Sequence, residues 1–504
     1  MMRSRLTVTV LAFLLALANT ASAQTVLVKP YVQPCDSSTT DKSDAKRLCW
    51  LTDQTPGEFL IEYEYAGGKP ATAKPERIAL DFEKLIDPKK AVPKEKDDPN
   101  DPPEKVGSLP AEKEQHFFRY IATLPNLPFD TTVNYRVLLA GKVVREASFR
   151  TMASREKPIR FAVVGDLANG KEPQKTVAYR IGEEKPEFLL ALGDLVYPSG
   201  RVNQYSQFYW NTYNDVETPG LKTGAPLMAS IPFYAVIGNH DVAAKFPAIP
   251  DALGIYYFFH APKNGPGVGP WATPLGADKA AVAKFRSSAA ESYPSLDAYS
   301  FDYGPAHVIV LNSNLSGSID QPKFREWVES DLKATKARWK FVCYHAPAFQ
   351  SSGQHYTEQA MRLWQPIFQE NGVDVIFSGH VHNYQRTVPL KFTPLSPKRD
   401  KRGRADGEFV FDREFDGVSN TRAKGIVHIV AGGGGATLYG PGLDKTSVTL
   451  KKEHGDNFAD YTAKMVADRH SYVMVDLTPD TFKLRALDLN GVLIDQIVIT
   501  KSIK

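Results

Sequence analysis

The sequence predicts a layered α/β domain preceded by a smaller all-β domain. Residues 24 to about 152 contain short runs of alternating apolar and polar residues, which is typical of strands with one buried face. From residue 158 onwards, continuous apolar runs alternate with amphipathic segments, which indicates buried strands joined by helices. A chain of 504 residues is also too long for one ordinary core. We therefore expect at least two domains.

The first domain, residues 24–152, has strand patterns at Phe59–Tyr65, residues 131–139 and residues 146–151. Between the first two, residues 86–115 consist mainly of Lys, Asp, Glu and Pro. Such a segment cannot bury an apolar core, so we expect a mobile surface loop inserted into the β domain.

The second domain, residues 158–504, contains seven apolar runs that we expect to be buried strands. They are residues 159–164, 188–192, 233–237, 308–311, 340–344, 373–377 and 426–430. An amphipathic helix is opened by Asp320 and Pro322. A second helix is predicted to carry Met361 and Trp364 and to end near Gly372.

Residues 1–23 have the pattern of a cleavable signal peptide. Arg3 and Arg5 precede the apolar residues 11–17, and small residues lead up to Ala23. The apolar run is too short to span a bilayer, and no later stretch is long and apolar enough to do so. We therefore expect a secreted or periplasmic protein that is cut after Ala23 and does not enter the membrane.

Three cysteines fit an oxidising compartment. A Cys35–Cys49 disulfide and two unpaired thiols are both compatible with the sequence. Cys343 lies within an apolar run and is interpreted as a small buried side chain. The net charge of +4 gives no reason to expect a nucleic-acid partner.

Five short polar blocks, each at the end of an apolar run, carry the functional information. They are Gly165-Asp166, Gly193-Asp194-Leu195-Val196-Tyr197, Gly238-Asn239-His240-Asp241, Val342-Cys343-Tyr344-His345 and Gly379-His380-Val381-His382. Polar groups that follow buried strands collect at the carboxyl edge of a sheet. Two carboxylates, a phenol, an amide and three imidazoles at such an edge are the ligands expected for two adjacent metal ions. The blocks therefore predict a binuclear metallohydrolase.

The order of these blocks resembles the calcineurin-like metallophosphoesterases, and Tyr197 narrows the resemblance to the purple acid phosphatases. The resemblance implies a four-layer αββα sandwich of two mixed sheets with flanking helices. It also implies that the first domain is a fibronectin-type-III-like sandwich.

The same resemblance assigns metal ligands residue by residue. Asp166, Tyr197 and His382 would bind one metal, which is Fe(III) in that family. A second, divalent metal such as Fe, Zn or Mn would be bound by Asn239, His345 and His380, and Asp194 would bridge the two ions. Hard anionic ligands favour a trivalent ion, while imidazole and amide suit a divalent one.

His240 and His355 match substrate-contacting positions of the family and are the candidate catalytic residues. The chain departs from the family pattern in two places. Gln354 stands where a histidine is often found, and Ala168 stands where glycine is usual. Asp241 fits two roles, either orienting a histidine or filling a polar turn.

We therefore expect an exported phosphatase that hydrolyses small phosphate monoesters by in-line attack of a metal-bound hydroxide. The ligand set does not fix the type of ester, so a phosphodiesterase or nucleotide-directed hydrolase is an alternative. A catalytically silent binding protein is a further alternative, although it would have no chemical need for seven intact ligands.

Overall fold

The computed structural model of the chain describes residues 24–36, 43–83, 114–289, 291–314, 321–439 and 459–502. The predicted signal peptide, residues 1–23, lies outside these residues, as does most of the predicted charged insert, residues 86–113. Within the described ranges, none of the helices is long and apolar enough to cross a membrane.

The N-terminal part consists of two four-stranded antiparallel sheets. Their orders are β1-β2-β6-β5 and β4-β3-β7-β8. The strands are β1 (Val26–Pro34), β2 (Asp44–Thr52), β3 (Phe59–Tyr65), β4 (Ala71–Ala73), β5 (Glu76–Phe82), β6 (Gln115–Leu127), β7 (Thr132–Leu139) and β8 (Lys142–Arg150). One apolar core contains side chains of both sheets, and in it Trp50 stacks on Tyr120 with ring centroids 5.3 Å apart.

Strand β3 has the predicted bounds, and β7 and β8 overlap the predicted runs. Strand β2 has no alternating pattern in the sequence, because Asp44 and Lys46 are both buried within it as an ion pair. A buried ion pair replaces apolar residues at core positions, so the period of two that identifies a strand is lost.

The larger part contains fifteen further strands in the described residues, and they form two mixed sheets and a hairpin. They are β9 (Ile159–Val164), β10 (Phe188–Ala191), β11 (Phe233–Ala235), β12 (Ala298–Tyr303), β13 (Ala306–Leu311), β14 (Trp339–Tyr344), β15 (Val375–Ser378), β16 (Tyr384–Thr387), β17 (Leu390–Pro394), β18 (Gly407–Phe411), β19 (Val427–Ala431), β20 (Thr462–Val466), β21 (Ser471–Leu477), β22 (Thr481–Asp488) and β23 (Leu493–Thr500).

One sheet has six strands in the order β11-β10-β9-β21-β22-β23, and the other has seven in the order β12-β13-β14-β15-β19-β16-β20. Strands β9 to β11 are parallel to one another, and so are β13, β14, β15 and β19. Their antiparallel neighbours make both sheets mixed. All seven predicted strands of this part correspond to strands of these two sheets.

The helices of the described residues are mostly short. They are α1 (Glu172–Glu184), α2 (Val202–Gln204), α3 (Trp210–Tyr213), α4 (Gly254–Phe258), α5 (Lys279–Ala289), α6 (Ser292–Ser295), α7 (Pro322–Ala334) and α8 (Gln365–Glu370). The predicted helix at Pro322 is α7. The predicted second helix is divided into a 3₁₀ turn, Ala360–Trp364, and α8. Pro366 is the physical reason, because proline has no N–H and is tolerated only in the first turn of a helix.

All three cysteines are unpaired thiols in the structure. Tyr31 faces Cys49 and Pro34 faces Lys46 in the β1–β2 hairpin. Cys35 therefore lies about four residues along the hairpin from the position opposite Cys49. That separation exceeds the Cα distance of about 7 Å that a disulfide tolerates.

Buried side chains join the N-terminal sheets to the larger part. The guanidinium of Arg119 on β6 is fully buried and donates a hydrogen bond to the backbone carbonyl of Ser288, at 2.7 Å. Tyr135 on β7 donates to the carbonyl of Ala229, also at 2.7 Å. An unpaired buried guanidinium is costly, so these contacts fix how the two parts are joined.

His307 on β13 is held between two carboxylates. Its Nδ1 lies 2.7 Å from Asp302 on β12, and its Nε2 lies 2.9 Å from Asp331 on α7. Burial alone would lower the pKa of His307, but the two carboxylates raise it to about 9. The charged ring therefore ties helix α7 to the edge of the seven-stranded sheet.

This pairing predicts a stability contribution that depends on pH. The folded-state pKa of His307 is raised, so the contribution is complete below the unfolded value of about 6.5 and is lost as pH rises through about 9. His307→Gln should lower the free energy of unfolding by about 3 kcal/mol at pH 6. The difference in the free energy of unfolding between this variant and the wild type should be smaller at pH 10 than at pH 6, as measured by thermal unfolding across this range.

His428→Gln is the matched control, because burial lowers the pKa of His428 to about 3 and keeps that ring neutral throughout the range. The unfolded ring titrates near 6.5, so its effect on unfolding should be constant only from about pH 7.5 to pH 10, while that of His307→Gln falls over the same interval. A constant difference for His307→Gln over the same range would contradict the ion-pair interpretation.

Candidate metal centre

The structure brings the five polar blocks together at one edge of the two sheets. Each block places a candidate ligand within four residues of the C-terminal end of β9, β10, β11, β14 or β15. Because the parallel strands of each sheet end on the same side, their polar extensions meet there.

One group of donor atoms surrounds the phenol of Tyr197. Its hydroxyl lies 3.1 Å from Asp166 Oδ1, 3.2 Å from Asp194 Oδ2 and 3.1 Å from His382 Nε2. One ligand atom from each of Asp166, Asp194 and His382 lies within 4.8 Å of the others, a separation at which they could hold a metal ion.

A second group shares Asp194 with the first. The Nε2 atom of His345 lies 3.0 Å from Asn239 Oδ1 and 3.1 Å from Asp194 Oδ2. Donor atoms of Asp194, His345 and His380 also lie within 4.8 Å of one another. The structure therefore brings all seven predicted ligands into two adjoining groups that have Asp194 in common. Their role as ligands stays a prediction.

Three of these residues have left-handed backbone conformations. The φ angles are 62° at Asp166, 52° at Asp194 and 67° at His380. A residue other than glycine pays about 1–3 kcal/mol for a sparsely populated conformation, and such strain concentrates at functional sites. The turns after β9, β10 and β15 are therefore strained where each presents its side chain to the centre.

Backbone carbonyl groups orient three of the histidines. The Nδ1 atom of His345 lies 2.7 Å from the Leu192 carbonyl, and that of His382 lies 2.7 Å from the Thr437 carbonyl. The carbonyl of Pro198 lies 2.6 Å from Nδ1 of His240. A carbonyl only accepts, so each Nδ1 carries a hydrogen and Nε2 is left to face the centre.

Asp241 holds the turn that presents Asp194. Its buried carboxylate accepts hydrogen bonds from the backbone N–H groups of Asp194, Leu195 and Gly238, at 2.8 to 2.9 Å. This differs from both roles considered in the sequence analysis, because Asp241 orients backbone rather than a histidine and is more than turn filler. Burial, together with the adjacent Asp194 charge, raises the pKa of Asp241 to about 7.

The glycine-rich turn after β19, residues 432–435, packs against Asp166. A Cβ atom at Gly432 would lie 2.3 Å from the Val381 carbonyl oxygen and 2.8 Å from Asp166 Oδ2. Only glycine permits this approach. Ala168, which stands where glycine is usual in the family, is a mild departure. Its φ angle is not positive, and it pairs with Val196 in a parallel bridge.

The chemistry of the donors fits metal ions. Burial raises the pKa of Tyr197 well above its usual value, and the carboxylates of Asp166 and Asp194 raise it further. The phenolate form therefore requires a strong positive charge beside it. Burial would also raise the pKa of Asp194, but His345 and His240 lower it overall. Buried anionic oxygens and imidazoles facing one point are the ligands that iron, zinc and manganese accept.

The two candidate catalytic histidines lie beside different residues of the donor groups. Nε2 of His240 is 4.0 Å from Asp194 Oδ2, and the ring lies 4.5 Å from that of Tyr197. The ring of His355 lies 3.9 Å from the ring of His380, with one fifth of its side chain exposed.

Sequence reasoning missed two residues of this site, Glu358 and Tyr439. Glu358 Oε1 lies 2.6 Å from Nδ1 of His355, and its Oε2 lies 3.0 Å from Nε2 of His380. The Tyr439 hydroxyl lies 3.3 Å from Nε2 of His355, and its ring stacks on that of His382 at 4.2 Å. The spacing of three residues between His355 and Glu358 was a usable signal, since one turn joins residues three apart.

The basic segment from Lys391 to Arg404 lies behind the His355 turn. Gln359 donates a backbone hydrogen bond to the Gly403 carbonyl at 3.3 Å and accepts one from Ala405 at 3.1 Å. The turn that carries His355 is thereby supported by the loop of the β17–β18 hairpin.

Comparison with known proteins supports the resemblance. Residues 159–384 match the family model described as calcineurin-like phosphoesterase. The more specific resemblance to purple acid phosphatases is also confirmed. Purple acid phosphatase 1 of Ipomoea batatas is 28% identical over 297 residues, which are 55% of this chain and 56% of that protein.

Two further comparisons agree. The Fe(3+)-Zn(2+) purple acid phosphatase 12 of Arabidopsis thaliana is 26% identical over 291 residues, 54% of each chain. The chain thus spans about half the length of the curated relatives it matches. A purple acid phosphatase from yellow lupin seeds superposes with a TM-score of 0.59 over 95% of this chain and 74% of that one, at 15% identity. This confirms the predicted α/β fold with two mixed sheets.

The shared position of Asp194 predicts the effect of removing it. Asp194→Ala takes an anionic donor from both groups and leaves two concentrated positive charges less compensated. The variant should retain less than one metal ion per chain, whereas the wild type should retain two, as measured by elemental analysis of the purified protein.

Asp297→Ala is the matched control. Asp297 is an equally buried carboxylate that accepts hydrogen bonds from Tyr256, Thr273 and Asn312 and is not part of either donor group. Its loss should lower the melting temperature and leave the metal content unchanged. Two metal ions per chain in Asp194→Ala would show that the bridging assignment is wrong.

Proposed function

We propose that the chain is a binuclear metal-dependent phosphatase that hydrolyses small phosphate monoesters. The observation that carries this proposal is the pair of donor groups that share the buried carboxylate of Asp194. Purple acid phosphatases among the curated relatives support the same reaction class. Open alternatives are a phosphodiesterase or nucleotide-directed hydrolase on the same centre.

We propose Fe(III) for the group of Asp166, Tyr197 and His382, with Asp194 as the bridge. The divalent ion, Fe, Zn or Mn, would be held by Asn239, His345 and His380. A phenol that is deprotonated only beside a strong cation supports the first assignment, and the relative described as an Fe(3+)-Zn(2+) enzyme supports the combination. When bound, two such ions supply the positive charge that holds phosphate and activates water for in-line attack.

The side chains around the centre would perform the remaining steps. His240 donates through Nδ1 to the Pro198 carbonyl, so its Nε2 faces Asp194 and, when protonated, would donate to a phosphate oxygen. His355 is the more exposed of the two histidines and is held by Glu358 through Nδ1. In its doubly protonated form, with Nδ1–H on Glu358, its Nε2–H would give a proton to the departing alkoxide, which is a poor leaving group without one.

We also propose that the protein is exported and that its N-terminal sheets form a fibronectin-type-III-like sandwich. The first proposal rests on the sequence pattern of residues 1–23. Two facing antiparallel sheets with a common aromatic core support the second.

Colour tests the trivalent iron assignment. Phenolate bound to Fe(III) gives a charge-transfer band in the visible region, so the purified protein should be purple or pink. Tyr197→Phe should lose this band and keep its fold, as measured by absorption and circular dichroism. Tyr205→Phe, which changes another buried tyrosine in the same way, should keep the colour. An iron-loaded, active and colourless wild type would refute the assignment.

Activity is tested by comparing an aryl monoester, an alkyl monoester and a phosphodiester side by side. The wild type should hydrolyse both monoesters faster than the diester. His355→Ala should keep both metals and lose about 10²-fold in kcat on the alkyl ester, with a smaller loss on the aryl ester, whose leaving group needs little protonation. His116→Ala, at an exposed position of β6, should behave as wild type.

A faster diester reaction would favour the phosphodiesterase alternative. Equal losses on both monoesters in His355→Ala would assign His355 to phosphate binding instead of proton transfer. A metal-loaded wild type that hydrolyses none of the three esters would contradict the proposed function.

A further inference from the structure

The histidines around the centre are oriented in two different ways. His240, His345 and His382 each hold a backbone carbonyl through Nδ1. His355 and His380 instead share a single side chain, Glu358, whose two oxygens lie 2.6 Å and 3.0 Å from their ring nitrogens. One carboxylate therefore does for two histidines what carbonyl groups do for the other three.

A carboxylate accepts hydrogen bonds and donates none, so both facing nitrogens must carry hydrogen. This fixes Nδ1–H on His355 and Nε2–H on His380. The nitrogens left over are Nε2 of His355, which faces Tyr439, and Nδ1 of His380. Since Nε2 of His380 is held by Glu358, Nδ1 is the nitrogen that remains for the group with Asp194 and His345. His380 is thus held with its hydrogen on Nε2, and His355 keeps Nδ1–H whether or not its Nε2 also carries a proton.

The surrounding backbone holds Glu358 in place for this role. The N–H of Glu358 donates to the carbonyl of His355 at 2.9 Å, which closes the turn between them. His355 and His380 both have positive φ angles, 59° and 67°, and their rings lie 3.9 Å apart. A small displacement of the Glu358 carboxylate would therefore affect both rings.

We infer that Glu358 is a positioning residue that fixes Nδ1–H on His355 and Nε2–H on His380 and so orients both rings together. Resting on the proposed function, this couples a ligand of the divalent metal to the group that protonates the leaving alkoxide. Removing a carboxylate that orients a metal-binding histidine typically lowers metal affinity or activity by about 10–100-fold.

Glu358→Gln is the decisive variant because it preserves shape and removes one acceptor. An amide presents one acceptor oxygen and one donor NH₂ group, so it cannot accept from both histidines. One of the two must change tautomer or lose its partner. Glu358→Gln should therefore be no better than Glu358→Ala, whereas a side chain that acted only by filling space would be rescued by glutamine.

Two readouts are needed on the same preparations. Dialysis of the metal-loaded protein against graded free zinc should show one of the two metal ions held about 10–100-fold more weakly in both Glu358 variants. Turnover of the alkyl monoester should fall by a similar factor, and melting temperatures should report folding. Glu146→Gln, the same change at an exposed position of β8, should match the wild type in both.

Wild-type behaviour of Glu358→Gln in either readout would overturn the shared role. A wild-type metal affinity in Glu358→Gln would show that Glu358 does not orient His380. A wild-type turnover would show that it does not orient His355. Should the wild type hydrolyse no phosphate ester, the proposed function would fail, while the zinc titration and a comparison of glutamine with alanine would still decide the role of Glu358.

Discussion

The buried carboxylate of Asp194 is the group around which the rest of the site is arranged. A buried anion is costly unless it is paired and hydrogen-bonded. Its Oδ1 accepts from the backbone of His240 at 2.8 Å, and its Oδ2 faces Tyr197 and His345. A second buried carboxylate, Asp241, fixes the backbone on which Asp194 stands. Two adjacent buried carboxylates repel each other, so this arrangement requires a compensating positive charge nearby.

The two mixed sheets contribute different donor atoms to the proposed metal centre. The candidate ligands that follow strands of the six-stranded sheet are Asp166, Asp194, Tyr197 and Asn239, all of which offer oxygen. The seven-stranded sheet supplies His345, His380 and His382, which offer nitrogen. Both donor groups therefore need both sheets. Metal binding of this kind is coupled to folding, because each ion would join residues from two separate layers.

The sequence was sufficient where structure follows local pattern. Continuous apolar runs identified the seven strands, and polar blocks at their ends identified the residues that converge. It was insufficient where tertiary contacts override the pattern. The ion pair of Asp44 and Lys46 concealed β2, and Pro366 divided a helix whose apolar spacing was continuous. Tyr439 gave no signal, because its place beside His355 depends on the packing of the glycine turn and not on spacing.

Histidines in the interior of the site and at its opening are oriented by different kinds of group. His345 and His382 are almost fully buried and are held by backbone carbonyls, which move only if the main chain moves. His355 lies at the opening and is held by the half-exposed side chain of Glu358. A side chain of this kind can adjust by rotation, while a carbonyl cannot. Under the proposed mechanism, a rigid interior would keep ligand positions constant, and a more adaptable rim would let His355 follow leaving groups of different size.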